Sequence, residues 1–191
     1  MMIMSLMMLL FLSGAKSVRE RAKQQACQNN LREIGMALDH YEYLWKGRLP
    51  PTTGPEDDNL RPLYPDCVNA LEIFICHETG NRVDEPVHLE DNAVGGRTAG
   101  IGHSYEYLSY YLYDAQGDKL EQPEMKTRAS VDVQADKIWL VMDAMEAGMA
   151  RIPDMFDNHY DAGGNVLFAD SHVEWVERGK WIVAFKSGNS K

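Results

Sequence analysis

The chain is short of several things on which common functional classes depend. It has three cysteines, too few for a four-thiolate zinc site and an odd number for a disulfide framework. Basic residues are in deficit: 19 Lys+Arg against 29 Asp+Glu leave a formal net charge of −10. Affinity for phosphate backbones comes from Lys and Arg, so bulk nucleic-acid binding is excluded. There is no glycine-rich phosphate loop, because Gly95 and Gly96 stand without the strand and helix such a loop needs. A long apolar run is also missing. The best, MMIMSLMMLLFL (Met1–Leu12), is broken only by Ser5 and reaches roughly 18 Å as a helix, whereas a bilayer core asks for about 20 apolar residues.

What is present is unevenly arranged. At 191 residues, 45% hydrophobic and 25% charged, the chain is too apolar to be wholly disordered and suits one compact domain with an appendage, or two small domains. Residues 1–50 hold seven Lys/Arg and four acids, a balance of +3, so the remainder carries −13. An apolar start, a mildly basic continuation and an acidic body suggest a membrane-proximal stem carrying a head.

Between Ala15 and Lys46 there is no proline, and Gly35 is the one glycine. Within this stretch Cys27, Leu31, Ile34, Leu38, Tyr41 and Trp45 recur at steps of four and three, one apolar stripe on a helix. Upstream the stripe fades into Arg19, Arg21, Lys23, Gln24 and Gln25. The pattern predicts a helix that is solvated for about two turns and docks from Cys27 onward, ending at Gly47 and Pro50-Pro51. The opening residues fit a signal-peptide core or a buried helix end. Their unbroken junction with the striped helix favours the lower half of a membrane helix, with Leu6, Leu9, Leu10 and Phe11 facing lipid or neighbouring stems. The expected division is a membrane and stem part at 1–26 and a head at 27–191 that includes the docked half of the helix.

Further on, residues 47–66 are rich in Pro, Gly and Asp and read as loop. ALEIFIC (Ala70–Cys76) reads as a strand or buried edge, 77–102 as a long loop, and SYEYLSYYLY (Ser104–Tyr113) as an aromatic strand. KIWLVM (Lys137–Met142) reads as a buried strand. Asn165–Ala169 and Val173–Val176 read as a hairpin turning at Asp170-Ser171-His172. Glu177–Lys186 fits a last short helix or strand. The fold class is therefore α+β, a long N-terminal helix packed on a small antiparallel sheet.

Candidate chemistry clusters late in the chain. Asp154, Asp157 and Asp161 offer oxygen ligands for Ca²⁺; the same residues and His159 also suit ordinary turn capping. His159 and His172 are ligand types for a transition metal and a hydrolase built on it, but they lie at opposite ends of a predicted strand, roughly 15 Å apart. Cys76 and His77 are sequence neighbours and would point to opposite faces of a strand, so no nucleophile–base pair is legible. Cys27 paired with Cys76 would tie the helix to the head; Cys67 with Cys76 would close a short loop; three buried free thiols fit equally. The tyrosines from Tyr105 to Tyr113 suit half-buried sheet packing or a ligand-binding surface.

Three segments carry a resemblance. Glu20–Pro51 resembles the stem of bacterial pseudopilin-like proteins, which bear a prepilin-type cleavage/methylation segment and are similar to the major pseudopilin of type II secretion. The pattern Cys-x-x-Asn-Leu-x-x-Ile-Gly-x-Ala-Leu falls on Cys27, Asn30, Leu31, Ile34, Gly35, Ala37 and Leu38. Leu60–Gly80 is similar to the family's Leu-Tyr-Pro … Phe-x-Cys-Pro-Ser run, with His77 where Pro is usual. His159–Val176 resembles the family's C-terminal signature, a His followed at fixed spacing by Asp-Gly, here on His159, Asn165, Asp170 and His172. The spacing is one residue longer in this chain, and Ser171 stands for Gly, so the turn must accept a side chain. The family's leader, cleavage glycine and Phe-Thr-Leu-Ile-Glu start have no counterpart, so the expectation is a chain that begins inside the membrane helix. The resemblance implies a pilin-like fold and a structural, non-enzymatic subunit of a type II secretion or type IV pilus-like assembly. Such a subunit is held in the bacterial inner membrane with its head in the periplasm, and its partners are other pseudopilin subunits in a homo- or hetero-polymer. It implies stem–head docking through Cys27, Leu31, Ile34, Leu38 and Tyr41 and needs no cofactor. The alternative is a secreted or periplasmic module binding Ca²⁺, through Asp157 and Asp161, or another ligand.

Overall fold

The computed structural model describes residues 2–53, 57–92, 100–108, 135–144, 158–159 and 162–180, with side chains from Ser17 onward apart from Lys137. Helix α1 runs Met2–Leu44. Among the described residues no helix is long and apolar enough to cross a membrane. The helix ends as its sequence requires: the Gly47 N–H donates to the Glu42 carbonyl at 2.6 Å, and Lys46 and Gly47 take left-handed backbone, φ 58 and 82. This is the six-to-one closure that satisfies a terminal carbonyl.

Burial along α1 changes character at one position. Residues 17–22 are exposed, and Cys27, Leu31, Ile34, Ala37, Leu38 and Tyr41 are buried. Each of the large aliphatic side chains contributes about 1.5–3 kcal/mol by leaving water. Trp45, the last member of the stripe, departs from expectation: it is 57% exposed and stacks on Tyr41 at 5.7 Å, because the helix has already ended beneath it.

The sheet is a four-stranded antiparallel meander in sequential order. Its strands are β1 (Tyr105–Tyr107), β2 (Trp139–Asp143), β3 (Gly163–Phe168) and β4 (Val173–Glu177). The hairpin turns where the sequence placed it, with Leu167 opposite Val173. Ser171 occupies the turn at φ 71, and its hydroxyl donates to Asp39 on α1 at 3.0 Å. The side chain at the turn thereby gains a partner on the helix. Every residue of β3 is buried. Leu167 packs in the core under α1, while Val166 and Phe168 join Met142 and Val176 in a second cluster, as period-two alternation demands. A bulge between Trp139 and Val141 brings both Leu140 and Val141 into the helix-side core. Helix and sheet meet closely at Gly35: a Cβ there would lie 3.0 Å from Leu167 Cδ1.

Two expectations for the middle of the chain change. ALEIFIC forms a 3-10 turn, Leu71–Phe74, instead of a strand. A single turn puts Ile73 and Phe74 into the core side by side, which a strand cannot do for adjacent residues. The aromatic strand is described only as β1. Tyr105 and Tyr107 are buried core residues, and Tyr110, Tyr111 and Tyr113 lie outside the described residues. The edge of β1 is covered by the loop before Arg61–Leu63: Asp58 accepts the Tyr107 N–H at 2.8 Å and the Asn92 amide at 2.8 Å, which blunts an open edge. His103 ties the same loop to β1. Its Nε2–H donates to the Asp58 carbonyl at 2.9 Å and its Nδ1 accepts the Tyr105 N–H at 3.3 Å. Burial lowers its pKa to about 4, so the neutral ring fits both bonds. Residues 178–180 are helical, and the remainder of Glu177–Lys186 lies outside the described residues.

A charge placed in the stripe has no water and no partner. Leu31→Asp and Ile34→Asp are each expected to cost about 4 kcal/mol or more and to unfold the head. Thermal unfolding followed by near-UV circular dichroism checks this, and unchanged melting would refute the docking.

Candidate functional site

The helix-side core becomes polar at one end. Along β3 the inward positions read Leu167 then Asn165, and along β2 they read Val141 then Asp143. Above them α1 changes from Leu31 to Cys27. Two further segments enter here: Cys76, just past the Leu71–Phe74 turn, and Asn158-His159 from the chain before β3. Asn30 on α1 ties the first of these down by donating to the Ile75 carbonyl at 2.9 Å. The result is a buried cluster of Cys27, Cys76, Asp143, Asn158, His159 and Asn165.

Asp143 is its anchor. One carboxylate oxygen accepts the Asn165 backbone N–H at 2.6 Å and the Asn165 amide at 2.9 Å, and faces His159 Nε2 at 3.2 Å; the other accepts from Asn158 at 3.3 Å. The His159 ring also meets Trp175 edge-on at 5.3 Å. Burial opposes the imidazolium, but the Asp143 carboxylate beside it outweighs burial and lifts the His159 pKa from 6.5 to about 10. This is a buried ion pair, with both side chains nearly inaccessible.

The thiols complete the cluster. Cys27 Sγ lies 2.9 Å from Cys76 Sγ, Cys76 Sγ lies 3.5 Å from His159 Nε2, and the His77 backbone N–H donates to Cys27 Sγ at 3.2 Å. A hydrogen bond from Cys76 lowers the Cys27 pKa to about 6 against the opposing effect of burial, and His159 adds to the lowering. Burial and the same shared proton push Cys76 well above the usual thiol range. Of the two thiols, Cys27 is therefore the readier to lose its proton.

No nucleophile–base pair was legible in the sequence, and the structure brings a thiol and an imidazole together. His77 is not the partner; His159, 83 residues from Cys76, is. The arrangement nevertheless differs from a nucleophile–base relay. Asp143 engages the same ring nitrogen that faces the thiol, whereas a relay is oriented through the other nitrogen, and both sulfurs are fully buried. His159 and His172 are not brought together. His172 lies at the exposed hairpin turn, stacked on Phe168 at 4.2 Å and paired with Asp170. Of the signature residues, His159 and Asn165 meet in the cluster, while Asp170 and His172 serve the turn. Asp157 and Asp161, the residues expected for Ca²⁺, lie outside the described residues, as does Asp154. Sequence reasoning missed Asp143 and Asn158. The one available signal was an acid closing the apolar run KIWLVM, a place where a carboxylate must find buried donors.

Comparison with family models, curated proteins and solved structures gives no match.

Removing the anchor leaves a buried cation unpaired. Asp143→Ala is expected to cost about 3–5 kcal/mol, read as a lower urea midpoint. The His159 pKa is higher folded than unfolded, so its contribution is complete below about pH 6.5 and is lost as pH climbs toward about 10. Urea midpoints measured across that range should fall more steeply for the native chain than for His159→Gln.

Proposed function

We propose that this protein is a pseudopilin-like structural subunit, anchored through its N-terminal helix, with an α+β head on the periplasmic side of the bacterial inner membrane, and that it assembles with like subunits in a type II secretion or type IV pilus-like system. The observation that carries this is the division of labour along α1. One helix of 43 residues, about 65 Å long, covers the sheet with a buried stripe that, among the described side chains, starts at Cys27. The stretch at 17–22 is exposed and basic, and the apolar Met1–Leu12 precedes it. A helix serving a single head would have no use for that length. A helix shared between a head and a lipid or stem-packed environment needs it. The pilin-like character of the fold belongs to this proposal, as does a non-enzymatic role: burying apolar stems among one another is sufficient work for such a subunit.

Cell fractionation tests the proposal. The native chain is expected in the inner-membrane fraction and to resist carbonate extraction. Leu9→Arg combined with Leu10→Arg is expected to shift it to the extractable pool while the head keeps its melting temperature. Extraction of both proteins alike would overturn the proposal.

A further inference from the structure

We propose that Cys27 and Cys76 are the two halves of an intramolecular disulfide that ties helix α1 to the head, formed by exchange with an external disulfide, either low-molecular-weight or carried by a protein. The inference stands apart from the assembly role, since it concerns two atoms inside the head.

The two sulfurs lie 2.9 Å apart across 49 positions of sequence. A disulfide bond spans about 2.05 Å, so closure asks for a movement of about 0.9 Å, within the reach of side-chain rotation. A shared metal ion fits less well, although Cys27, Cys76 and His159 present ligand atoms within 4.8 Å of one another. Tetrahedral coordination with bonds of about 2.3 Å holds two thiolates about 3.8 Å apart, a movement as large as the one the disulfide asks for, so the number of donors decides. Among the described residues the cluster offers three such ligand atoms, and the carboxylate beside them, Asp143, already receives donors on both oxygens, from Asn165 and Asn158.

The chemistry is prepared on one side. Cys27 faces the His77 N–H and the Cys76 thiol, the surroundings of a thiolate nucleophile. Its thiolate attacks one sulfur of the external disulfide and releases the other as a thiolate, leaving a mixed disulfide on Cys27. Cys76 gives its proton to the released thiolate and attacks Cys27 Sγ, expelling the second thiolate, which takes a proton from water. Two protein thiols are thereby oxidised by two electrons, and one external disulfide is reduced to two thiols. Because both sulfurs are fully buried once α1 has docked, the first exchange belongs to the undocked chain, where the ordinary thiolate fraction of an exposed cysteine suffices, and the docked geometry serves the closing step that brings Cys76 onto Cys27. The finished bond is shielded from reductant for as long as the head stays folded. Cys67, half-buried and packed against the core, serves as the internal control.

The test uses the full chain, refolded in a mixture of reduced and oxidised glutathione, then denatured in the presence of a thiol-alkylating agent and weighed by mass spectrometry. The expected product carries one label, on Cys67, and is two hydrogens lighter than the sum of the reduced chain and that label. Reduction under denaturing conditions followed by refolding without oxidant should lower Tm by about 5–15 °C. Cys27→Ser, Cys76→Ser and the double variant should show the same lowering, with the double falling no further than either single, and Cys67→Ser should show none. Three labels on the refolded native chain would overturn the proposal. One equivalent of zinc alongside three labels would assign the cluster to a metal instead.

Discussion

Everything in the head depends on one contact, the seating of a single stripe of α1 against the inner face of β3. The sheet has strands of three to six residues, too short to bury an apolar face by themselves. Leu31, Ile34 and Leu38 supply the missing cover, and Gly35 permits it, because a side chain there would push Leu167 away. The same seating brings Asp39 to the hairpin turn, where Ser171 reaches it, and Cys27 to the polar end of the core. One helix face thus sets the position of the turn, the core and the thiol pair together.

That face was legible in the sequence because it is periodic. Steps of three and four sustained from Cys27 to Trp45 match the turn of a helix and cannot match the alternation of a strand. The hairpin declared itself through apolar runs flanking Asp170-Ser171-His172. The short elements were not legible. ALEIFIC has the composition of a strand, yet tertiary packing makes it a turn that inserts two neighbours at once. Trp45 keeps the period of the stripe but lies past the end of what the helix covers. The site was least legible of all. Cys27, Cys76, Asp143 and His159 come from four separate segments and meet only because the helix and the meander close over them, and no spacing along the chain encodes such a meeting. Asn165 is the partial exception: it stood out in the hairpin signature, and its role emerges only when its backbone N–H and its amide are both found on one carboxylate oxygen.

The polar end of the core also answers how a buried ion pair is tolerated. Taking Asp143 and His159 out of water is costly unless the remaining hydrogen-bonding capacity is used. Here the carboxylate collects the Asn165 N–H and amide, the Asn158 amide and the imidazole. Asn158 extends the network to the Ser104 carbonyl next to β1. Three strands and the segment before β3 are therefore registered by one carboxylate. The Asn158 and Asn165 side-chain oxygens find no partner among the described residues, so the register rests on the donors gathered on the Asp143 carboxylate.

The position of Cys27 along α1 gives the thiol pair its mechanical meaning. It is the first fully buried residue of the docked stripe, one turn past the Lys23–Glu78 ion pair. Undocking that starts from the exposed residues 17–22 reaches buried packing first at Cys27 and then spreads toward Leu31 and Ile34. A covalent link deeper in the core would leave this front unprotected, and one farther out would have no rigid partner to hold. A link at Cys27 stands at the front itself, and Cys76, held there by the Asn30 bond to the Ile75 carbonyl, belongs to the head. The docked half of the helix then cannot peel from its exposed end without unfolding the turn that carries Cys76.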